Sequence, residues 1–432
     1  MFKRVLILAA GVLASLTGCG QAHAQQRDAP KVEIGGQFTT LELRAPEFSF
    51  PPSASEPGVG GRAGYNVTDY FGVEAEFNVL PRRAVFGRMM QGQFGVKAGK
   101  RWRKFGLFAK ARPGFISFGE VLTVVGEESF TLSDGQVIVF PKTGFRRRTA
   151  FSMDVGGVAE FYPARNLLVR VDVGDTLIRY RPKEFRQSLF QTFRDMPSGV
   201  GHNLQVTTGV AYRFLNPRGA DEAEPPAPVA RAPRFEAGVQ YTTLIINHPT
   251  ASRSSFPTVS GGRPLTVETG VGGRFTFNLN DHLALEAALD YLPGDDLFAS
   301  TSFGGDALQG QFGLKAGRRF RRFGLFAKAR PGFLSFDRAR RLVGTQIFTS
   351  GSQTFTLGVF QPGRKTFFET DVGGVVEFYP SRRLVARFDV GDTIVRYRGR
   401  VTEGFSFGTA ILPEPDDTRH NFQFTAGVGF RF

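Results

Sequence analysis

The sequence predicts an all-β protein whose strands cross a membrane and close into antiparallel β-barrels. Three observations lead to this prediction. Apolar and polar residues alternate with a period of two over many segments, which is typical of strands with two different faces. Short and long connections alternate along the chain, as they do in membrane barrels with tight turns on one side only. Finally, the chain repeats itself almost completely, so each half holds a full set of strands.

The repeat is visible as two long matching blocks. Residues 92–118 read GQFGVKAGKRWRKFGLFAKARPGFISF, and residues 310–336 read GQFGLKAGRRFRRFGLFAKARPGFLSF. The block DVGGVAEFYPARNLLVRVDVGDTLIRYR, which begins at Asp154, returns from Asp371 as DVGGVVEFYPSRRLVARFDVGDTIVRYR. These offsets of 218 and 217 residues are far longer than a solenoid unit, so each copy has the size of a domain.

The N-terminus has the features of a secretory signal peptide, predicted over residues 1–24. Lys3 and Arg4 precede a short apolar run that cannot span a bilayer as a helix. Two alternatives remain open: cleavage after Ala24, or lipidation of Cys19 within a motif similar to the lipobox of bacterial lipoproteins. Cys19 is the only cysteine, so no intramolecular disulfide is expected in the exported chain.

The charge balance and the composition narrow the function classes. The formal net charge is +15, and removal of the signal peptide leaves +13, which suggests nucleic acid or an anionic surface as a partner. The export signal excludes nucleic acid and favours lipids. No apolar window long enough for a membrane-spanning helix follows the signal, whereas 46 Phe and 53 Gly favour β-structure.

Eight amphipathic strands of about 9–13 residues are predicted in each copy, a length that crosses a bilayer when tilted. In the first copy they begin near Val32, Val59, Phe71, Gln91, Phe105, Phe151, Leu167 and His202. In the second copy they begin near Phe235, Val267, Leu283, Gln309, Phe323, Phe367, Leu384 and His420. Tight turns are expected at 66–70, 100–104 and 163–166, and long loops at 44–58, 80–90, 119–150 and 181–201.

The polar face of these strands is predicted to form a charged interior. A charge on the lipid face would cost roughly 2–4 kcal/mol near the bilayer midplane, whereas charges inside a narrow barrel can pair. In the first copy we predict an interior network of Glu33, Arg62, Glu74, Glu76, Lys97, Lys110, Arg112, Asp154, Glu160, Arg170, Asp172 and Arg213. In the second copy we predict Glu236, Arg274, Glu286, Asp290, Lys315, Lys328, Arg330, Asp371, Glu377, Arg387, Asp389 and Arg431.

Each copy resembles the OmpA/OmpX-type outer-membrane β-barrel domain in its eight amphipathic strands, alternating connections, polar interior and terminal aromatic residue. The resemblance implies that Phe432 is the assembly signal recognised by the barrel-assembly machinery. Phe214 ends the first copy in the same way. It also implies location in the bacterial outer membrane, with outer-membrane lipids as partners. The chain departs from the family in using mostly Phe where aromatic girdles usually have Trp and Tyr.

Two architectures remain open at this stage. The expected domains are a tail at 25–31, repeat 1 at 32–215, a Pro- and Ala-rich linker at 216–233, and repeat 2 at 234–432. The copies form either two tandem eight-stranded up-and-down barrels, which we favour, or one sixteen-stranded barrel with an aqueous channel. Inward glycines such as Gly95 and Gly174 favour the narrow barrels, although glycine also fits strand bends.

The sequence contains no strong catalytic motif. His202 and His420 begin the last strand of each copy at the outer rim, where some outer-membrane enzymes have their sites. The nearby DVGD carboxylates, Asp172 and Asp175 in the first copy, are expected to lie several residues from the histidine. No metal-binding pattern and no nucleotide loop occurs, so no catalytic residue, metal site or cofactor is predicted.

Two basic groups complete the set of candidate contacts. Lys100, Arg101, Arg103 and Lys104, repeated at 318–322, are expected at a periplasmic turn, where they either touch anionic headgroups or are simply solvated. A second group, at the outer edge, comprises Arg146, Arg147, Arg148, Arg338, Arg340, Arg341, Arg364 and Lys365. We expect a non-enzymatic structural or surface-contact protein whose surface ligand is unknown. The alternatives are a porin-like channel and, less favoured, a rim-sited lipid-modifying enzyme.

Overall fold

The computed structural model describes most of both copies. The described residues are 30–44, 53–81, 87–131, 137–181, 186–189, 192–195, 199–214, 233–247, 265–294, 305–321, 323–350, 353–398, 400–403, 411–414 and 416–432. The predicted signal peptide, Cys19 and almost all of the predicted tail and linker therefore lie outside the described residues. No helix in the described part of the chain is long and apolar enough to cross a membrane.

The described residues of the first copy form ten strands, eight of which build a barrel. They are β1 (Val32–Arg44), β2 (Ser53–Asn66), β3 (Phe71–Leu80), β4 (Met89–Arg101), β5 (Phe105–Thr131), β6 (Val137–Ala164), β7 (Leu167–Tyr180), β8 (Arg186–Leu189), β9 (Thr192–Asp195) and β10 (Gly199–Phe214). The closed order is β1-β10-β7-β6-β5-β4-β3-β2, and β8 pairs with β9 in a separate small sheet.

The second copy repeats this arrangement. Its strands are β11 (Phe235–Asn247), β12 (Leu265–Asn278), β13 (Leu283–Leu292), β14 (Ala307–Arg319), β15 (Phe323–Ser350), β16 (Gln353–Phe378), β17 (Leu384–Tyr397), β18 (Arg400–Glu403), β19 (Ile411–Glu414) and β20 (Asp417–Arg431). The barrel order is β11-β12-β13-β14-β15-β16-β17-β20, with β18 and β19 forming a small sheet outside it.

Each barrel closes on itself. In the first barrel β1 pairs antiparallel with β10, with Glu33 opposite Arg213, and in the second β11 pairs with β20, with Glu236 opposite Arg431. The predicted tandem of two eight-stranded barrels is therefore confirmed, and the alternative of one sixteen-stranded barrel is wrong. A larger barrel would require β10 to pair with β11, whereas the first and last strands of each copy use these edges for their own closure.

Strands five and six of each barrel are much longer than predicted. β5 and β6 remain paired to Thr131 and Val137, and β15 and β16 remain paired to Ser350 and Gln353. The segment 119–150, expected to be a loop, is therefore mostly a β-hairpin that continues beyond the barrel. A register shift between Phe118 and Val121 separates the barrel part from this extension. We call the paired residues beyond the shift the arm: Val121–Thr131 with Val137–Arg146 in the first barrel, and Ala339–Ser350 with Gln353–Gly363 in the second.

The two barrels pack side by side along outward-facing residues. The hydroxyl oxygens of Thr40 and Thr243 lie 3.1 Å apart, and the rings of Phe38 and Phe424 lie 4.5 Å apart. Near the short turns, Val169 of the first barrel packs with residues of the second, including Phe378 and Ala386. We call this contact between the barrels the seam. It buries outward-facing side chains that would otherwise contact lipid.

Candidate functional site

The lower half of the first barrel holds a connected network of buried charges. Lys97 reaches three carboxylates at once, with Nζ 3.3 Å from Glu33, 3.2 Å from Glu74 and in close contact with Glu160. Arg170 pairs with Glu74 and with Asp172 on its own strand. These side chains come from β1, β3, β4, β6 and β7, so the network ties together opposite walls of the barrel.

A second group of pairs lies above the first. Arg112 donates through Nη1 to Glu76 at 2.7 Å and through Nη2 to Asp154 at 2.5 Å, and Lys110 approaches Asp154 at 2.6 Å. Arg112 and Asp154 are fully buried. An unpaired charge in this position would be strongly unfavourable, so each of these groups depends on its partners.

The second barrel reproduces most of these contacts. Arg387 binds Glu286 and Asp389, and Lys315 binds Glu286 at 3.3 Å and also Glu377. Arg330 and Lys328 share Asp371 at 2.6 and 2.7 Å. The main difference is opposite Arg330, because the position of Glu76 in the first barrel is taken by Ala288.

The structure places every charge of the predicted network inside its barrel, and all of them are buried. Alternation along the strands brings them to one face, as period two requires. Arg62 faces Glu76 across β2 and β3, whereas its counterpart Arg274 faces Ala288. Glu33 and Glu236 each lie at the closing strand pair, where Arg213 and Arg431 approach them at 3.4 and 3.2 Å.

Sequence reasoning placed Arg101 and Arg319 wrongly. They were expected at a turn facing lipid headgroups, but both side chains fold into the base of the barrel and are less than 10% exposed. Arg101 donates to the Tyr162 hydroxyl at 2.9 Å and lies 3.4 Å from Glu160. The cause is strand parity: β4 continues to Arg101, which shares the inward face with Lys97.

A layer of amides above the charges was also missed. In the first barrel Gln91 and Gln205 bond to each other at 2.9 Å, and Gln205 continues to Thr39 at 3.1 Å. In the second barrel the equivalent layer includes Glu369, which was not predicted although it lies two residues before Asp371 on the same face. Period-two counting through β16 would have found it.

The expected separation of the rim histidines from the DVGD carboxylates is wrong for one carboxylate of each motif. His202 Nδ1 lies 2.7 Å from Asp175, and His420 Nδ1 lies 2.6 Å from Asp392. Asp175 pairs with Leu204 in the β7–β10 register, so His202 is its diagonal neighbour on the outer face. Asp172, three residues before Asp175, lies on the inward face of the same strand. The two carboxylates of the DVGD motif therefore lie on opposite faces of the barrel wall.

The outer basic groups lie at the base of the arms. Arg146 and Arg147 are exposed, and Arg146 pairs with Val121 just beyond the register shift. Further out, Lys142 is paired with Glu128 at 2.8 Å, and the hydrogen bond to that carboxylate raises the pKa of the lysine. At the opposite end of the molecule, the backbone of Phe432 bonds to Phe235, and its side chain is 59% exposed.

The described residues contain no group of three or more His, Cys, Asp or Glu side chains that could hold a metal ion.

The interior of both barrels is tightly packed around the ion pairs. A Cβ added at Gly174 would collide with the carboxylate of Asp154, and one at Gly391 would collide with Asp371. Each of these glycines makes room for an ion pair.

One protein family matches the first copy. Residues 11–214 match the family described as outer membrane protein beta-barrel domain. The N-terminal β-barrel domain of OprF from Pseudomonas aeruginosa is 13% identical, with 44% of this chain and 100% of that chain covered and a TM-score of 0.24. Neisserial surface protein A is 11% identical, with 44% and 100% covered and a TM-score of 0.28.

Ail, the attachment invasion locus protein of Yersinia pestis, is 13% identical, with 43% of this chain and 99% of that chain covered and a TM-score of 0.24. At these identities and TM-scores the likenesses carry no statement about function. No curated protein matches the chain significantly. The first copy thus matches an outer membrane protein β-barrel domain over residues 11–214 and has the closed eight-stranded fold of such a domain, and the second copy repeats that fold.

Proposed function

We propose that this protein is a non-enzymatic component of the bacterial outer membrane with a structural, envelope-stabilising or surface-contact role. The observation that carries the proposal is the filling of both barrels. Ion pairs occupy the lower half of each interior, amides lie above them, and an apolar cluster fills the outer end. That cluster contains Leu41, Leu80, Ile116, Phe118 and Tyr180 in the first barrel, and Leu244, Leu292, Leu334, Phe336 and Tyr397 in the second.

These layers oppose a continuous aqueous path along the described interior. A solute would have to break buried pairs such as Arg112 with Asp154, and then pass a closed apolar layer. Eight strands in any case enclose a space only wide enough for side chains. Solute transport through either barrel is therefore disfavoured.

Single-channel conductance in planar bilayers tests the proposal. We expect the purified full-length protein to give no stable conductance steps under conditions in which a sixteen-stranded porin gives them. Regular steps of constant size would contradict a sealed interior. Gel migration provides an independent check of folding, because the unboiled protein should migrate differently from the boiled one if both barrels are closed.

We further propose export by the N-terminal signal, assembly through recognition of Phe432 by the barrel-assembly machinery, and contact with outer-membrane lipids. Phe432 lies at the short-turn end of the last strand, where it is accessible. The outward-facing apolar residues, among them Phe94 and Phe312 at 64% and 59% exposure, support insertion into lipid. Replacement of Phe432 by Ser should reduce the amount of folded protein in the outer membrane, and unchanged assembly would contradict the role of this residue.

The His–Asp contacts favour one second candidate, a lipid-modifying site on the outside of each barrel. His202 is 65% exposed and is oriented by Asp175, an arrangement that general bases use. The outward neighbours Val155, Leu177 and Val200, however, offer no nucleophile. Incubation with outer-membrane lipids, with the double variant His202→Ala and His420→Ala as control, should show no turnover for either protein. Turnover that only the unmodified chain performs would establish the second candidate.

A further inference from the structure

A groove lies at the seam, between the outer surfaces of the two barrels. It is a cavity of about 240 Å³ lined mainly by Gly36, Phe38, Thr208 and Val210 of the first barrel and by Phe388 and Phe424 of the second. The rings of Phe38 and Phe424 are in contact, with centroids 4.5 Å apart, and Phe388 packs edge-on against Phe378 at 6.1 Å. Side chains of both barrels therefore build the walls of this groove.

One outward position of β1 leaves the groove open. The equivalent of Gly36 in the second barrel is Val239, which is 53% exposed and lies outside the seam. A Cβ added at Gly36 would have its nearest neighbour, a backbone oxygen, 3.9 Å away, so this space is not filled by other parts of the protein. Beside it, Ile34 and Val210 are 52% and 51% exposed. The first barrel thus presents an open apolar recess to the second.

The lining of the groove favours a hydrocarbon chain as its occupant. Water is held in such a space only where several polar groups can bond to it, and the amide of Gln37 is turned inward to Glu76 and Asn78. An unfilled groove would leave its aromatic rings without van der Waals contacts on one side. The bilayer supplies acyl chains here, and a chain in the groove is contacted by both barrels instead of one.

The short-turn end of the seam is positively charged. Arg382 and Arg383 belong to the turn before β17, the strand that carries Phe388, and both are exposed. Arg165 lies in the matching turn before β7, the strand whose Val169 packs with residues of the second barrel. Neither turn contains an acidic residue. A ligand whose chain lies in the groove and whose polar end reaches this level would therefore be favoured by negative charge.

We propose that the seam binds an anionic phospholipid, with one acyl chain in the groove and the phosphate at Arg382 and Arg383. Five residues of chain lead from Arg383 to Phe388, roughly 16 Å along a strand, so a headgroup at the turn places its acyl chain level with the groove. Arginine suits the phosphate, because its guanidinium can donate two parallel hydrogen bonds. This inference rests on the proposed location in the outer membrane, where the short turns face the inner leaflet.

Lipid retention by the full-length protein tests this proposal. The protein is refolded in detergent with either dioleoyl phosphatidylglycerol, which is anionic, or dioleoyl phosphatidylcholine, which has no net charge, and native mass spectrometry counts the lipid that stays bound. We expect a single tightly held phosphatidylglycerol molecule and much weaker retention of phosphatidylcholine. Equal retention of both lipids, or of neither, by protein with heat-modifiable gel migration would overturn this inference alone. Failure to insert into lipid vesicles would contradict the proposed membrane location as well.

Substitutions in the groove test where the acyl chain lies. Gly36→Leu fills the recess and should abolish retention of phosphatidylglycerol. Gly36→Val installs the residue of the second barrel and takes its place if the leucine variant does not fold. The control is Gly273→Leu, at an exposed outward glycine of the second barrel whose added Cβ would also have 3.9 Å of free space. Retention by a folded Gly36 variant equal to that of the control would overturn the proposal.

Substitutions at the turn test where the phosphate lies. Arg382→Gln combined with Arg383→Gln should weaken phosphatidylglycerol binding at least about tenfold, because each arginine near an anionic headgroup contributes to affinity. Lys100→Gln combined with Lys104→Gln removes the same charge from the turn between β4 and β5, away from the seam, and should leave binding unchanged. Equal weakening by both pairs would show that only the total charge matters and would overturn the site at the seam.

Discussion

Arg112 illustrates how a single interior residue depends on its surroundings. Its guanidinium lies within ion-pair distance of Glu76, Asp154, Asp172 and Glu74, and its side chain is fully buried. Burial of such an ion pair is unfavourable in itself, because both charges lose their hydration. Removal of only one partner is far more destabilising, because it leaves the other charge buried and unpaired. The effect of a substitution is therefore set by the carboxylates that remain.

Replacement of Arg112 by Leu should destabilise the first barrel by roughly 3–5 kcal/mol, the usual cost of stranding a buried charge. Glu76 would keep its hydrogen bonds from Gln37 and Asn78 and its cross-strand neighbour Arg62 but would lose its closest ion pair, whereas Asp154 would retain Lys110 at 2.6 Å. Urea unfolding of the protein in lipid vesicles measures the loss. A loss near zero would mean that the interior is hydrated.

The double variant Arg112→Leu with Glu76→Ala provides the control. It removes the stranded carboxylate together with the arginine, so a substantial part of the lost stability should return. The second barrel already has Ala288 at the position of Glu76, which shows that the site accepts alanine. If the double variant were as unstable as the single one, the loss would come from packing rather than from charge.

At the residue scale, the sequence predicts which charges lie inside but not which of them touch. Period-two alternation places Lys97, Arg112 and Asp154 on the interior face without further information. The prediction was wrong where the alternation was not counted to the last residue of a strand, as for Arg101. It was also wrong where the alternation was not counted through a motif, as for Asp175. Lys97 and Glu160 are 63 residues apart in the sequence and lie on different strands, and they meet inside the barrel. Their contact depends on the stagger of the strands, which the hydrophobic pattern alone does not specify.

At the scale of elements, the arms are the least expected feature. Their sequences alternate weakly, and exposed apolar residues such as Val125 and Phe145 obscure the period. The strands stay paired there because β5 and β6 leave the barrel side by side and a hairpin satisfies their backbone groups. The loop prediction for 119–150 rested on the long interval between two predicted strands, and the length of an interval does not report that local pairing.

Because the arms lie beyond the barrel, the barrel should fold without them. Replacement of residues 125–142 by a two-residue Asn-Gly turn, which joins the paired residues Val124 and Thr143, should leave the closed barrel intact. We expect heat-modifiable gel migration and a melting temperature within a few degrees of the unmodified protein. The matching deletion in the second copy, residues 343–359, should behave alike. Loss of folded protein in either variant would show that the arm is required for closure.

At the scale of the whole molecule, the seam determines how the two barrels are placed relative to each other. Besides the contact of Thr40 with Thr243, Glu42 accepts hydrogen bonds from Ser55 at 2.6 Å and from Thr269 at 2.5 Å. Thr269 belongs to the second barrel, so this carboxylate on a lipid-facing surface is satisfied partly by the other barrel. Polar groups of this kind are unfavourable in lipid and favour contact between the barrels.

A disulfide across the seam tests this arrangement. With Thr40→Cys and Thr243→Cys, oxidation should link the barrels, because the two hydroxyls already lie 3.1 Å apart. Cleavage at a protease site inserted into the linker would then leave one band on a non-reducing gel and two after reduction. The pair Thr40→Cys and Phe312→Cys, with Phe312 59% exposed on another part of the surface, is the control and should not link. Equal linking of both pairs would contradict a fixed seam.

The two barrels should also fold separately. Residues 25–215 contain every strand of the first barrel, including the β1–β10 closure and the terminal Phe214, and no strand of the second barrel completes its hydrogen bonding. Isolation would transfer Val169 and Phe38 from the seam into lipid, at little cost because the bilayer is as apolar as they are. Thr40 and Glu42 would each lose a hydrogen-bond partner from the second barrel. Each half should therefore show heat-modifiable migration in detergent, with a melting temperature somewhat below that of the full chain. If both halves failed to fold while the full chain folded, the seam would be part of the folding unit, and the tandem would have to be treated as one cooperative domain.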